Sequence, residues 1–133
     1  MTPAAGAVSG LLFSLAFPPL EWVALLPLAP VPWLVALSRE EKRGLALVSG
    51  LSFGLAYWCA SIPWIVYVVT NFGGQSGLMG LVSLALAALH LSQWPALVGW
   101  ATVAAAPAGS PWRRLALFPV LWTASEHARA NFY

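Results

Sequence analysis

The chain has 133 residues, 60% of them hydrophobic and 8% charged, with a formal charge of +2 and a mean hydropathy of +0.80. A soluble globular domain carries about 25% charged residues, so the composition points to an integral membrane protein. The pI of 9.1 reflects a few loop cations and no basic stripe that would neutralise phosphates, which argues against a nucleic-acid partner.

Five apolar segments follow in order. Ala4 to Phe17 is ended by Pro18 and Pro19, giving a first span over roughly 4–20. Met1 to Gly10 holds no Lys or Arg, so it does not read as a cleaved signal peptide. Trp22 to Leu37 is interrupted by Pro27, Pro30 and Pro32. Prolines fit a distorted span whose lost hydrogen bonds are recovered from neighbours. The third span is expected over 44–70, the fourth over 78–103, and the fifth over 115–133. The predicted fold class is therefore all-α: a polytopic transmembrane helix bundle of about five spans, each near the ~20 residues a bilayer requires.

Loop charge tests that count. "SREEKRG" carries Arg39, Lys42 and Arg43, and "PWRRL" carries Arg113 and Arg114, whereas "TNFGGQSG" between them has no charge. The positive-inside rule puts both cationic loops on the cytoplasmic side. Five spans then place Glu21 and Asn71 to Gly77 on the outer face. Gly73 and Gly74 supply the turn, and Trp64, Tyr67 and Phe72 fall where interfacial aromatics collect.

The third span contains "GLSFG", Gly50 to Gly54, a small-xxx-small pattern that permits close helix contact. Cys59 lies in the same span among aromatic residues and reads as an inert thiol; one cysteine forms no internal disulfide. His90 and Gln93 lie in the fourth span. Glu126 and Arg129, at i and i+3 in the fifth, sit at a depth where an unpaired charge is expensive. They read either as an ion pair that locks helix packing or as a direct contact to a polar substrate group. His90 reads either as a helix-bridging hydrogen bond or as facing the same interior as Glu126. There is no metal-ligand spacing, no phosphate loop and no Ser/His/Asp set, so no cofactor and no catalytic residue is assigned.

Several motifs then occur in order. "LAFPPLEW" gives Phe17 and Pro18, and "GLSFGLAYWCASIPWIVYVVTNFGG" gives Gly54, Tyr57, Trp64, Ile65, Phe72, Gly73 and Gly74. Pro119, Trp122, Glu126 and Arg129 stand at the spacing Pro-x-x-Trp-x-x-x-Glu-x-x-Arg. Together these resemble the N-terminal membrane region of apolipoprotein N-acyltransferases; His127 and Ala130 depart from the family pattern. The resemblance implies a multi-pass enzyme of the bacterial inner membrane with a nitrilase-like periplasmic domain bearing a Glu-Lys-Cys triad. That domain takes an acyl chain from a membrane phospholipid as a thioester and passes it to the diacylglyceryl-cysteine of a lipoprotein. No triad residue maps onto this chain, and Cys59 is not its counterpart. The ending "SEHARANFY" falls inside an apolar helix without a cap, so the chain is expected to be a fragment, inactive alone. The resemblance makes this segment the anchor and a wall of the lipid entry. A small transporter or assembly subunit with an intramembrane Glu126/Arg129/His90 site is the other reading; it would show an internal repeat, and none is evident.

Overall fold

The structure is a computed structural model that describes residues 1–106 and 110–132. Among these residues the regular structure is all helical, with no strand. The helices are α1 (Thr2–Ser14), α2 (Val31–Arg39), α3 (Arg43–Ser61), α4 (Trp64–Tyr67), α5 (Gly77–Ala105) and α6 (Pro111–Phe132).

Two of them, Arg43–Ser61 and Gly77–Ala105, are long and apolar enough to cross a membrane. Only 28% of each apolar window is buried. Leu45, Leu47 and Val48 on α3 and Leu81, Leu86, Leu89 and Leu97 on α5 lie exposed. A helix that is apolar all round yet mostly uncovered is built for a nonpolar solvent.

The other expected spans differ from the sequence reading. The 22–37 segment is not one helix: a 3₁₀ turn at Val23–Leu25 and further turns lead into α2, only nine residues long. Pro27, Pro30 and Pro32 remove the amide donors that a continuous helix needs, and α2 starts where proline is tolerated, in its first turn. At 1.5 Å per residue α1 and α2 are about 20 and 14 Å long, short of a ~30 Å hydrocarbon core. The expected 44–70 span breaks as well. Helix α3 stops at Ser61, Ile62 leaves the helical region (φ −119, ψ 30), and Pro63 starts the four-residue α4. A residue before proline is pushed out of the α region, which accounts for the break. A π-helical turn, Val68–Phe72, continues from α4. The fourth and fifth segments form α5 and α6; Tyr133, the expected end of the fifth, lies outside the described residues.

Pairings between helices fix their directions. Gly6 and Gly10 of α1 back onto Ser49 and Phe53 of α3, so these two run parallel. Gly50 backs onto Pro95, Gly54 onto Ser92, and Gly99 onto Ala46, so α3 and α5 run antiparallel. A methyl group on Gly50 would collide with the Pro95 carbonyl, and one on Gly54 would lie 2.6 Å from the Ser92 side chain. The "GLSFG" pattern thus lets α5 approach to backbone contact. Ser9 and Ser49, fully buried, hold Trp33 of α2 in place. The Trp33 amide donates to Ser9 Oγ at 3.0 Å, and the Trp33 indole donates to Ser49 Oγ at 2.9 Å.

Arg114 gathers the cationic end. It is 2% exposed. Its Nη1 donates to the Leu37 carbonyl at 3.0 Å and to the Glu40 carbonyl, while Nε and Nη2 donate to the Ala106 carbonyl at 3.4 and 3.3 Å. These acceptors lie at the C-terminal ends of α2 and α5, where a cation also meets the negative end of each helix dipole; the Leu37 carbonyl accepts from the Glu40 amide as well, at 3.3 Å. The two cationic loops therefore share one end of the molecule, and Asn71 to Gly77 occupies the other.

Candidate functional site

From that end α6 runs alongside α3. Phe118 meets Trp33 edge-on at 5.3 Å, Trp122 meets Phe53 at 5.6 Å, and the Arg129 guanidinium lies 5.8 Å over the Trp58 ring. Trp33 stacks on Phe53 at 4.8 Å, and Phe13 of α1 meets Tyr57 at 5.3 Å. Rings from α1, α2, α3 and α6 thus form one continuous cluster. Edge-to-face and offset pairs of this kind add to simple burial.

The cluster does not fill the space between the helices. On one side lies a cavity of about 320 Å³, lined by Phe17, Tyr57, Trp58, Trp94, Trp122, Glu126 and Arg129 among others. On the other lies one of about 280 Å³ with Leu34, Phe118, Pro119 and Thr123 in its wall. Phe13, Phe53 and Trp122 line both and so form the partition between them.

The larger cavity holds the polar groups. Arg129 Nη2 donates to Glu126 Oε2 at 2.5 Å, one helical turn away. The two side chains are 31% and 43% exposed, so the pair sits at the edge of the cavity and is not sealed inside protein. The Arg129 Nε and Trp94 Nε1 donors are buried without a hydrogen-bond partner among the described residues. The site is thus an aromatic chamber with a carboxylate and a guanidinium at one wall. It can bind and orient an amphiphilic group; its lining holds no Ser, Cys or Lys that could act as a nucleophile. Cys59 is exposed, away from the lining. Among the described residues no three His, Cys, Asp or Glu side chains cluster in a way that would hold a metal ion.

The sequence-predicted residues separate into three places. Glu126 and Arg129 are in the cavity. His90 is exposed on α5, hydrogen-bonded to Gln93 at 3.3 Å, and is not among the residues lining the cavity. Trp64, Tyr67, Asn71 and Phe72 are exposed at the far end. There Tyr67 and Phe72 meet edge-on at 6.0 Å, and Asn71 Nδ2 donates to the Tyr67 carbonyl at 3.0 Å. Sequence reasoning missed Phe13, Phe53, Trp58 and Trp94 as site residues. Phe53 stands four residues before Tyr57 on the same face of α3, and Phe13 four residues before Phe17, which follows the end of α1; that spacing was the available signal.

Fold and site define a class: a chain all-helical among its described residues, two of whose helices are long and apolar enough to cross a bilayer, with an ion pair set into an aromatic chamber. The chain belongs to the apolipoprotein N-acyltransferase family, matching the model of its N-terminal domain over residues 9–133. It is 29% identical over 129 residues to an apolipoprotein N-acyltransferase of Vibrio cholerae, covering 97% of this chain and 25% of that protein. Its identity to the Geobacter metallireducens relative of the same name is 32% over 128 residues (92% and 23% covered). For that of Shewanella oneidensis it is 35% over 106 residues (75% and 20% covered). The chain spans about a quarter of the length of these relatives. No solved structure matches it.

Proposed function

We propose that this chain is the membrane part of an enzyme that moves an acyl chain from a phospholipid to the N-terminal diacylglyceryl-cysteine of lipoproteins in the bacterial inner membrane. In this reading the segment anchors the enzyme and shapes lipid access, and the covalent chemistry belongs to residues outside it. The observation that carries the reading is convergence. Phe17, Tyr57, Trp122, Glu126 and Arg129, which belong to separate sequence motifs of the family, line one cavity. Its aromatic wall suits an acyl chain, and the Glu126–Arg129 pair suits the polar group to which that chain is joined.

The reading takes five crossings, a count supported by the alternating directions of α1, α2, α3, α5 and α6. The turns between Leu15 and Pro30 would complete the two short segments, and the cationic loops would face the cytoplasm. The exposed turn at Asn71 to Gly77 would then lie under the catalytic domain, with Trp64, Tyr67 and Phe72 bordering acyl chains of the outer leaflet. The transporter reading placed His90 beside Glu126; no observation in the structure favours it.

The test is a chimera in which this chain replaces the matching segment of the Vibrio cholerae relative. The chimera should N-acylate lipoproteins in membranes. Trp122→Ala and Glu126→Gln should each lower the rate at least ~10-fold at unchanged protein level, the factor expected when about 1.4 kcal/mol of productive binding is lost. Full acylation by both variants would overturn the assignment of the cavity.

A further inference from the structure

A second cavity lies at the cationic end, away from the aromatic chamber. It occupies about 350 Å³ between α1 and α2, within the size range of ligand sites (~300–1,000 Å³). Ala5 of α1 and Pro32, Val35 and Ala36 of α2 give it an apolar stretch of wall, and Met1, Thr2, Arg39 and Glu40 complete the lining. Lys42 and Arg43 follow directly in the chain, and Arg113 is brought to the same end by its neighbour Arg114.

The charge balance of this rim is what identifies an occupant. Arg39, Lys42, Arg43 and Arg113 are all exposed, and the salt bridge found among the described residues is the distant Arg129–Glu126 pair. Two acids stand against the four cations. Glu41 is exposed. Glu40 is already engaged through both oxygens. Oε2 accepts from the Thr2 hydroxyl at 2.5 Å, and Oε1 accepts from the Glu41 and Lys42 amides at 3.0 and 2.9 Å. Those donors, the Thr2 hydroxyl foremost, hold the Glu40 carboxyl below the usual carboxylate range, and they leave Arg39 without a carboxylate partner. A slot with apolar walls, opening onto a rim with excess positive charge, matches one chemistry: a chain of methylenes joined to an anionic headgroup.

We propose that the α1–α2 groove is a binding site for an anionic glycerophospholipid of the surrounding leaflet, with an acyl chain along Ala5, Pro32, Val35 and Ala36 and the phosphate held by Arg39, Lys42 and Arg43. The site rests on the membrane reading of the chain and is independent of acyl transfer, because it is at the opposite end from the outer turn and shares no residue with the aromatic chamber. Bound there, the lipid ties α1 to α2 and fixes the cationic loop against the bilayer.

The experiment uses the full chain extracted in neutral detergent. Its thermal midpoint is measured with added phosphatidylglycerol or phosphatidylcholine, and retained lipid is weighed by native mass spectrometry. Phosphatidylglycerol should raise the midpoint by several degrees and stay bound, and phosphatidylcholine should do neither. The triple variant R39Q/K42Q/R43Q should keep the lipid-free midpoint and lose the gain. Val35→Trp, at a position 47% exposed, should block the groove and lose the gain with every cation in place. Equal stabilisation by both lipids, or a full gain in either variant, would overturn the proposal.

Discussion

The seam between α3 and α5 and the chamber between α3 and α6 are neighbours built on opposite principles. At the seam, Gly50 and Gly54 bring α3 against the α5 backbone, with no room for a methyl group. At the chamber, the same α3 presents Phe53, Tyr57 and Trp58, and large rings hold α6 far enough away to leave about 320 Å³ open. In lipid there is no hydrophobic drive to close such a gap, because solvent and side chain are equally apolar; packing and polar contacts do the work. The close seam therefore fixes the scaffold, and the propped-open side is where a ligand has space. One helix serves both purposes along a single stripe: Gly50, Phe53, Gly54, Tyr57 and Trp58 stand at i, i+3, i+4, i+7 and i+8 of α3, and residue size along it decides where the packing closes and where it stays open.

Substitutions sharpen that contrast. The largest effect is expected at the seam. Gly50→Leu forces a side chain into the Pro95 carbonyl and should destabilise the chain by about 3 kcal/mol, the upper range of overpacking. Gly44→Leu, where nothing lies within 4 Å, should leave the thermal midpoint near that of the parent. Equal loss in both would mean that the seam is not close-packed.

Next comes the clamp that sets both sides of the comparison in register. Arg114→Leu takes the guanidinium from the Glu40 and Ala106 carbonyls and leaves the Leu37 carbonyl only its Glu40 amide donor, which should cost about 2 kcal/mol. Arg114→Lys should recover only part of it, because one ammonium cannot reproduce the fork. Thermal unfolding in detergent separates the three proteins.

The smallest stability effect is expected in the chamber. Glu126→Gln removes an i,i+3 ion pair whose partners are 31% and 43% exposed, so stability should change by less than about 1 kcal/mol. A much larger loss would make the pair a packing lock and remove the contrast between scaffold and site.

Much of the site was legible in advance, for a specific reason. Glu126 and Arg129 stand out because charge is scarce in an apolar chain, and Trp122 and Tyr57 belong to motifs of fixed spacing. Gly50 to Gly54 was readable as a contact surface, though not its partner. Less legible was the direction of His90: its depth in the fourth span counts residues along an axis, and depth carries no information about the direction around it.

Composition and charge pattern alone determined the helical class, the long apolar helices and the pairing of the two cationic loops, because each follows from how many charges exist and where they fall along the chain. Only the tertiary structure decided that prolines shorten the second segment to nine residues and break the third at Ile62. It also decided that Arg114 is consumed by carbonyls while its neighbours remain free to meet an anion. Those outcomes depend on which helix faces meet, and a periodic apolar sequence is nearly the same on every face.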